Sequence, residues 1–486
     1  MAKQISAVGA AGAAIAQLFE EKITKPGDVN IDELTLLTST GDIFDMKGFM
    51  IDLELHEDIW SPCLFGQITI TDANNLINVA PIRGGEVLSI KARTKTLKDM
   101  PENLIEKSFQ IYAIEGRRLN NDREQFYILK FCSIEAISDQ ARSIVQAYGY
   151  DDAKTTDQIV QKIWLDHCQE MRRLDTEGDR VVSNLFIGDT PHNSRVQYTS
   201  NHWTPFQNIS YLCKKASGNK YKGADFVFFE SNKSFYFTTI QNLIGTQLEN
   251  GLFEHYIYEQ PGQDMMHRDS GDIFLGAPLP KMFSKIEEIN VPRTMDILDG
   301  QDSGYFSSSV MAYDLFSKEQ GEYIVDGRNH FSSFVHTEEG IPIPMGIQRN
   351  PYSMRGVKYI NMLTSPGQQG GLVEGSKGSA ANANVVEAGL LRQQYFNSFK
   401  DNTFSVDVPG RTDIEVGRMI QLAYPKAADK APDATYDDII DPVLSGKFII
   451  TAIKHIFNAE RHMMRMEICK NGLAQGTGPE DEVVDF

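Results

Sequence analysis

The sequence predicts an α+β protein dominated by β-structure, with two antiparallel β-barrel domains, an α+β domain between them and a further inserted domain. Three observations predict it. Short alternating apolar runs recur between turn signals at both ends of the chain, on either side of a stretch with helical periodicity. The two sets of runs resemble each other in order. A Gly/Ser/Gln/Ala-rich stretch without periodicity interrupts the second set.

Residues 1–42 read as an N-terminal arm. Ala7 to Leu18 is too poor in Leu and Val for a signal peptide, and Glu20 and Glu21 follow at once. Residues 43–137 read as the first barrel. Phe49 to Leu55, Gln67 to Thr71, Val87 to Ala92, Phe109 to Ile114 and Phe126 to Phe131 alternate, separated by Asp72 to Asn75, Gly84-Gly85 and Asn120 to Asp122. Residues 138–282 read as the α+β domain. One helix is capped by Thr155 or Thr156 and carries Ile159, Val160, Ile163, Trp164 and His167 on one face. A second starts at Thr204 with Pro205 in its first turn, buries Phe206, Ile209, Leu212, Cys213 and Ala216, and stops at Gly218. The runs Phe226 to Glu230 and Ser234 to Thr238 make a hairpin.

The second barrel is expected to be discontinuous, from 283–317 and 385–472. Strand signals appear at Ile286 to Val291 and Ser309 to Leu315, then a helix with Val386, Leu390, Leu391, Tyr395 and Phe399, then strands from Asn402 to Cys469. Residues 318–384 are an inserted domain ending in a flexible linker over 366–384. Residues 473–486 form an acidic C-terminal tail.

The duplication rests on three matches. Gly85-Glu-Val-Leu-Ser-Ile90 matches Gly417-Arg-Met-Ile-Gln-Leu422, Phe109-Gln-Ile-Tyr-Ala-Ile114 matches Phe448-Ile-Ile-Thr-Ala-Ile453, and Phe131-Cys132 matches Ile468-Cys469. Alternation alone makes any single match weak, but these recur in order at nearly constant separation. A fainter match sets Ile68 to Asp72 against Val310 to Asp314. Two similar units per chain, in a trimer, present six similar units around one axis. Such a ring can stack on a hexamer with one face and on a three-fold object with the other.

Composition excludes several roles. The formal charge is −19, with 66 acidic against 47 basic residues, so the chain repels a polyanion and sequence-specific nucleic-acid binding is not expected. No run approaches the ~20 apolar residues of a membrane helix, so stable membrane insertion is not expected. Cys63, Cys132, Cys168, Cys213 and Cys469 are far apart and odd in number, which fits reduced thiols rather than a disulfide framework.

Candidate chemistry is sparse. His167 and Cys168 are adjacent, so on a helix they diverge by about 100° and suit a shared metal poorly. His455 and His462 flank a hairpin without further ligands. Gly371 to Lys377 lacks the Gly-Lys-Ser/Thr order of a phosphate loop. No Gly-x-Ser-x-Gly elbow occurs. No catalytic, cofactor-binding or metal-binding residue is therefore assigned, and no enzymatic activity is expected.

Trp203-Thr-Pro-Phe206 leading into the helix Ile209 to Ala216, the hairpin Phe226 to Glu230 with Phe235-Tyr-Phe237, and Val408-Pro-Gly410, Gly417 to Ile420 and Gly446 to Ile453 carry a resemblance. The chain resembles the central baseplate hub proteins of T-even-like contractile-tailed bacteriophages, over about residues 45–472. The resemblance implies tube-type barrels, a homotrimer with a pseudo-six-fold ring, and a place in the virion tail baseplate after assembly in the host cytoplasm. It implies as partners the tail tube or tube-initiator proteins, a trimeric spike, and the tape-measure and baseplate wedge proteins. A tail-borne cell-wall hydrolase and the spike-like hub of a related injection system are the alternatives.

Overall fold

The computed structural model describes residues 26–80, 82–95, 103–119, 124–149, 155–169, 171–174, 180–189, 196, 198–221, 223–251, 253–258, 283–314, 320–343, 350, 357–362, 385–426, 440–458 and 461–473. The expected elements at Ala7 to Leu18, Asn120 to Asp122, 366–384 and 474–486 lie outside the described residues.

The first sheet unit contains β1 (Val29–Leu37), β2 (Ile43–Asp45), β3 (Met50–Asp58), β4 (Phe65–Asp72), the short helix α1 (Leu76–Val79), β5 (Val87–Thr94), β6 (Ile105–Leu119) and β7 (Gln125–Ser133). Its spatial order is β2-β1-β5-β6-β7-β4-β3, with every neighbour antiparallel. Alternation along these strands turns Leu53, Leu55, Ile68, Ile70, Leu88, Ile90, Phe109, Tyr127, Leu129 and Phe131 into one core. Residues 29–37, read from sequence as arm, are a full strand on β5. Leu34 and Leu36 are fully buried there, and Asp28 holds Lys95 at the strand end.

The inserted block holds α2 (Ile134–Ala141), β8 (Ile144–Tyr148), α3 (Thr156–Ile163), β9 (Met171–Leu174), β10 (Arg180–Val182), β11 (Leu185–Ile187), β12 (Tyr198–Trp203), α4 (Pro205–Cys213), β13 (Phe226–Glu230), β14 (Phe235–Thr239) and α5 (Ile240–Asn250). Thr155 and Thr204 both form capping boxes, with Gln158 and Gln207, so two orphan donors are satisfied at each helix start. α3 ends in a π turn, Trp164–Cys168. The ring of Trp164 packs 4.6 Å from Phe235 within a core that includes Phe206, Ile209, Leu212, Phe226 and Phe237.

The second sheet unit consists of β15 (Glu254–Tyr258), β16 (Lys285–Ile286) and β17 (Glu288–Arg293), followed after an excursion by β21 (Thr403–Pro409), β22 (Met419–Ala423), β23 (Gly446–Asn458) and β24 (His462–Cys469). The excursion carries α6 (Ile297–Asp302), β18 (Ser307–Asp314), β19 (Gln320–Asp326), α7 (Gly327–His330), β20 (Val357–Met362) and α8 (Val385–Asn397). The order of the second unit is β16-β15-β22-β23-β24-β21-β17. Two placements differ from the sequence expectation. β18 pairs with β19 and β20 in a separate sheet, so Val310 is not the partner of Ile68; Val406 occupies the matching register on β24. β15, read as part of the α+β domain, lies parallel to β22.

The two units share order and register from β5 to β3 and from β22 to β17. Leu88 faces Phe109 as Ile420 faces Phe448, and Ile111 faces Phe131 as Ile450 faces Ile468. Both long strands then bulge at the same place, between Ile111 and Ala113 and between Ile450 and Ala452. Gly85 and Gly417 sit at φ +96° and +82°, and each donates its N–H over 2.8 Å to the carbonyl just before the bulge, Ile111 and Ile450. Glycine takes this left-handed turn without Cβ strain.

Candidate functional site at the joint between the two sheet units

β23 is long enough to serve both units. Its first residues pair with β22, and Ala452 to Asn458 pair antiparallel with Asp58 to Asp52 of β3. The result is one 14-stranded sheet running through both units. Phe457, from the second unit's strand, is fully buried in the first unit's core. The joint thus combines backbone pairing with a side chain exchanged between cores.

Polar groups complete it. Thr94 and Thr412 exchange N–H···Oγ1 bonds at 2.9 and 3.0 Å, and Asn103 Nδ2 donates to the Thr94 carbonyl at 2.8 Å. Arg411, almost wholly buried, grips Glu254 of β15 with two N–H groups at 2.9 and 3.3 Å and Asp413 with two more at 2.6 and 3.1 Å. Such forked contacts fix direction as well as charge. α5, absent from the sequence reading, docks on the second unit through Gln247, which donates to the Gly417 carbonyl and accepts from Met419 N–H, both at 2.8 Å.

His455 and His462 come together here. Their Nδ1 and Nε2 atoms are 3.1 Å apart, and His455 Nε2 lies 3.5 Å from Glu57 Oε1; all three side chains are fully or nearly fully buried. Burial and the adjacent His455 hold His462 well below the ordinary imidazole pKa, so it is neutral. Register explains the meeting: Phe457 faces His462 and His455 faces Met464, which makes the two histidines diagonal neighbours on one face. Gly410 allows it, since a Cβ there would overlap the His462 ring. Among the described residues no group of three or more His, Cys, Asp or Glu is arranged to hold a metal. Cys168 is buried next to a partly exposed His167 whose carbonyl accepts from Arg142, and all five cysteines are free and buried.

A buried ion pair ties the inserted block to the first unit. Lys107 Nζ lies 2.9 Å from Glu230 Oε1, and Glu230 Oε2 accepts from Leu64 N–H at 3.0 Å and from the Ser133 hydroxyl. A cleft of about 660 Å³ opens beside it, lined by Cys63, Phe65, Asp139, Trp203, Phe206 and Tyr211 among others. Its one acid, Asp139, accepts from Phe206 N–H at 2.7 Å, and burial raises its pKa. Accepting from the first turn of α4, this carboxylate serves as a helix-start anchor. Gly371 to Lys377 lies outside the described residues. Among the described residues no helix is long and apolar enough to cross a membrane.

No protein-family model matches the sequence, and no curated protein matches it. In structure the chain is similar to a tail protein from Neisseria meningitidis, with 7% identity over 92% of this chain and 98% of the other and a TM-score of 0.48. It is similar to the 43 kDa tail protein of prophage MuSo2 from Shewanella oneidensis, with 9% identity, coverages of 91% and 98%, and a TM-score of 0.48. It is also similar to an Escherichia coli protein described as a type VI secretion component structurally similar to T4 bacteriophage tail proteins, with 10% identity, coverages of 93% and 79%, and a TM-score of 0.40.

Proposed function

We propose that this chain is a structural hub of a contractile phage tail, in which three copies form a ring of six similar sheet units. The observation that carries this reading is the pair of units sharing strand order, register and bulge, fused by β3 and β23 into one sheet. Repeating a unit within a chain lets three subunits present near-six-fold symmetry without giving up a three-fold axis. One face then seats a hexameric tail tube or tube initiator, and the other a trimeric spike. The tape-measure protein and the baseplate wedges are the remaining neighbours in this reading.

The ring also serves as a conduit. Three copies carry three times the formal charge of −19; where part of that charge lines the axis, DNA would be repelled and slide without being held, and a strongly basic lumen would overturn this. The role is mechanical rather than catalytic, and the buried networks at the joint serve rigidity. Light scattering on the purified full chain tests the reading, and a trimer is the expected species. A chain that stays monomeric at micromolar concentration, alone and with its spike, overturns it. Zymography separates the hub from a cell-wall hydrolase: clearing of peptidoglycan that disappears on substitution of one Asp or Glu would replace this reading.

A further inference from the structure

β6 and β17 each leave one edge without a strand partner among the described residues. β6 pairs with β5 only as far as Gln110, so Ala113 to Leu119 has β7 on one side alone. β17 pairs with β21 alone. These two edges are the counterparts of the two strands that meet inside the chain. By register, Leu119 faces Gln125 as Phe457 faces His462, so the end of β6 matches the end of β23. Ile289 faces Val406 as Leu53 faces Ile68, so β17 matches β3.

We infer that β17 of one copy pairs antiparallel with Ala113 to Leu119 of β6 in the next, repeating between chains the β3–β23 joint within the chain. This rests on the ring reading above and names its subunit contact. Carrying the internal register across sets Glu115 opposite Arg293, Arg118 opposite Asn290 and Leu119 opposite Ile289.

Three features support this pairing. First, both edges carry one additional residue at the same point. Gly116-Arg117 stands where β23 has His455, and Val291-Pro292 where β3 has Leu55. Since His455 faces Leu55, the two bulges oppose each other and the register survives. Pro292, which lacks an N–H, falls in that bulge, where an edge strand tolerates it. Second, Leu119 is 79% exposed while its counterpart Phe457 is fully buried in the neighbouring unit's core. Ile289, the residue it would meet, already packs against the second unit's core. Third, a carboxylate falls opposite a guanidinium: Glu115, already paired with Lys130, comes to Arg293, already held by Asp296, Asp299 and Asp401, so this contact bears on register rather than adding net attraction. The contact is head-to-tail, the type that forms a ring when its rotation closes after three copies and an open filament when it does not.

The test is oxidation of the full chain carrying Arg118→Cys and Asn290→Cys. Directly opposed residues of an antiparallel pair lie within disulfide reach, and the five native cysteines are buried. The expected result is a non-reducing ladder that ends at a covalent trimer. Arg118→Cys with Leu298→Cys, out of register, forms no ladder. Leu119→Asp in an otherwise native chain loses the oligomer while its circular dichroism is unchanged. If the oligomer forms, the ladder is absent and Leu119→Asp remains oligomeric, this pairing is overturned and the ring reading stands. A chain that is monomeric throughout overturns both.

Discussion

Replacing Lys107 with Met tests whether the inserted block is locked to the first sheet unit by charge. The Lys107 ammonium and the Glu230 carboxylate are 2.9 Å apart with side chains 4% and 0% exposed, so water screens neither. The Met variant keeps the stem volume and takes the counter-charge from Glu230, which still accepts from Leu64 N–H and Ser133. Breaking one side of such a pair typically costs about 3–5 kcal/mol, whereas removing both charges together is often near neutral. Lys107→Met with Glu230→Gln is therefore expected to recover most of the loss, because the amide oxygen can still accept from Leu64. Urea denaturation followed by tryptophan fluorescence reads this, since Trp164 packs on Phe228 and Phe235 of the same hairpin. A single variant within about 1 kcal/mol of the parent, or a double variant costing the sum of the two singles, would refute a dominant electrostatic lock.

Phe457→Ala removes the ring exchanged between the cores and is expected to cost about 3–5 kcal/mol, read as a lowered urea midpoint. Gly66→Ala places a Cβ 2.4 Å from the Glu54 carbonyl and 2.3 Å from the Phe131 ring; the loss should reach or exceed the top of the roughly 1–3 kcal/mol range for overpacking, checked by thermal unfolding. Acid should destabilise the fold through His462 and His336. Burial lowers both, His336 to about 4, so the unfolded chain binds protons that the folded chain refuses. Stability is whole above the unfolded value of 6.5 and falls as pH drops from there toward 4, by up to about 1.4 kcal/mol per unit for His336, with His462 acting in the same direction. Urea midpoints from pH 7 to pH 4 check the sign, and a midpoint that rises on acidification contradicts it.

Local physics made much of the fold legible. Thr204-Pro205 at a helix start, the Phe-rich hairpin and the alternation of β5, β6, β22 and β23 depend on neighbours a few residues apart, and these elements stand where the sequence put them. What stayed hidden depends on distant partners. β15 is short and is defined by lying parallel to β22, far along the chain. β1 alternates only loosely, and its burial comes from β5. α5 has Gly245 in its middle, seated against the Tyr221 ring, which blurs its periodicity. The meeting of His455 and His462 follows from the turn between them, because a hairpin closing at Asn458 and Arg461 sets them diagonally. Their contact with Glu57 needs the β3–β23 pairing, which no local pattern announces.

The strand that crosses the joint also decides how the molecule bears load. A hairpin pulled from its open end unzips, because its hydrogen bonds meet the force one at a time. From Ala452–Asp58 to Asn458–Asp52 the bonds between β23 and β3 lie across the strand axes, so tension along β23 shears them together. A sudden axial stroke would thus be shared by the whole row, and the two units should travel as one rigid piece until one of them unravels.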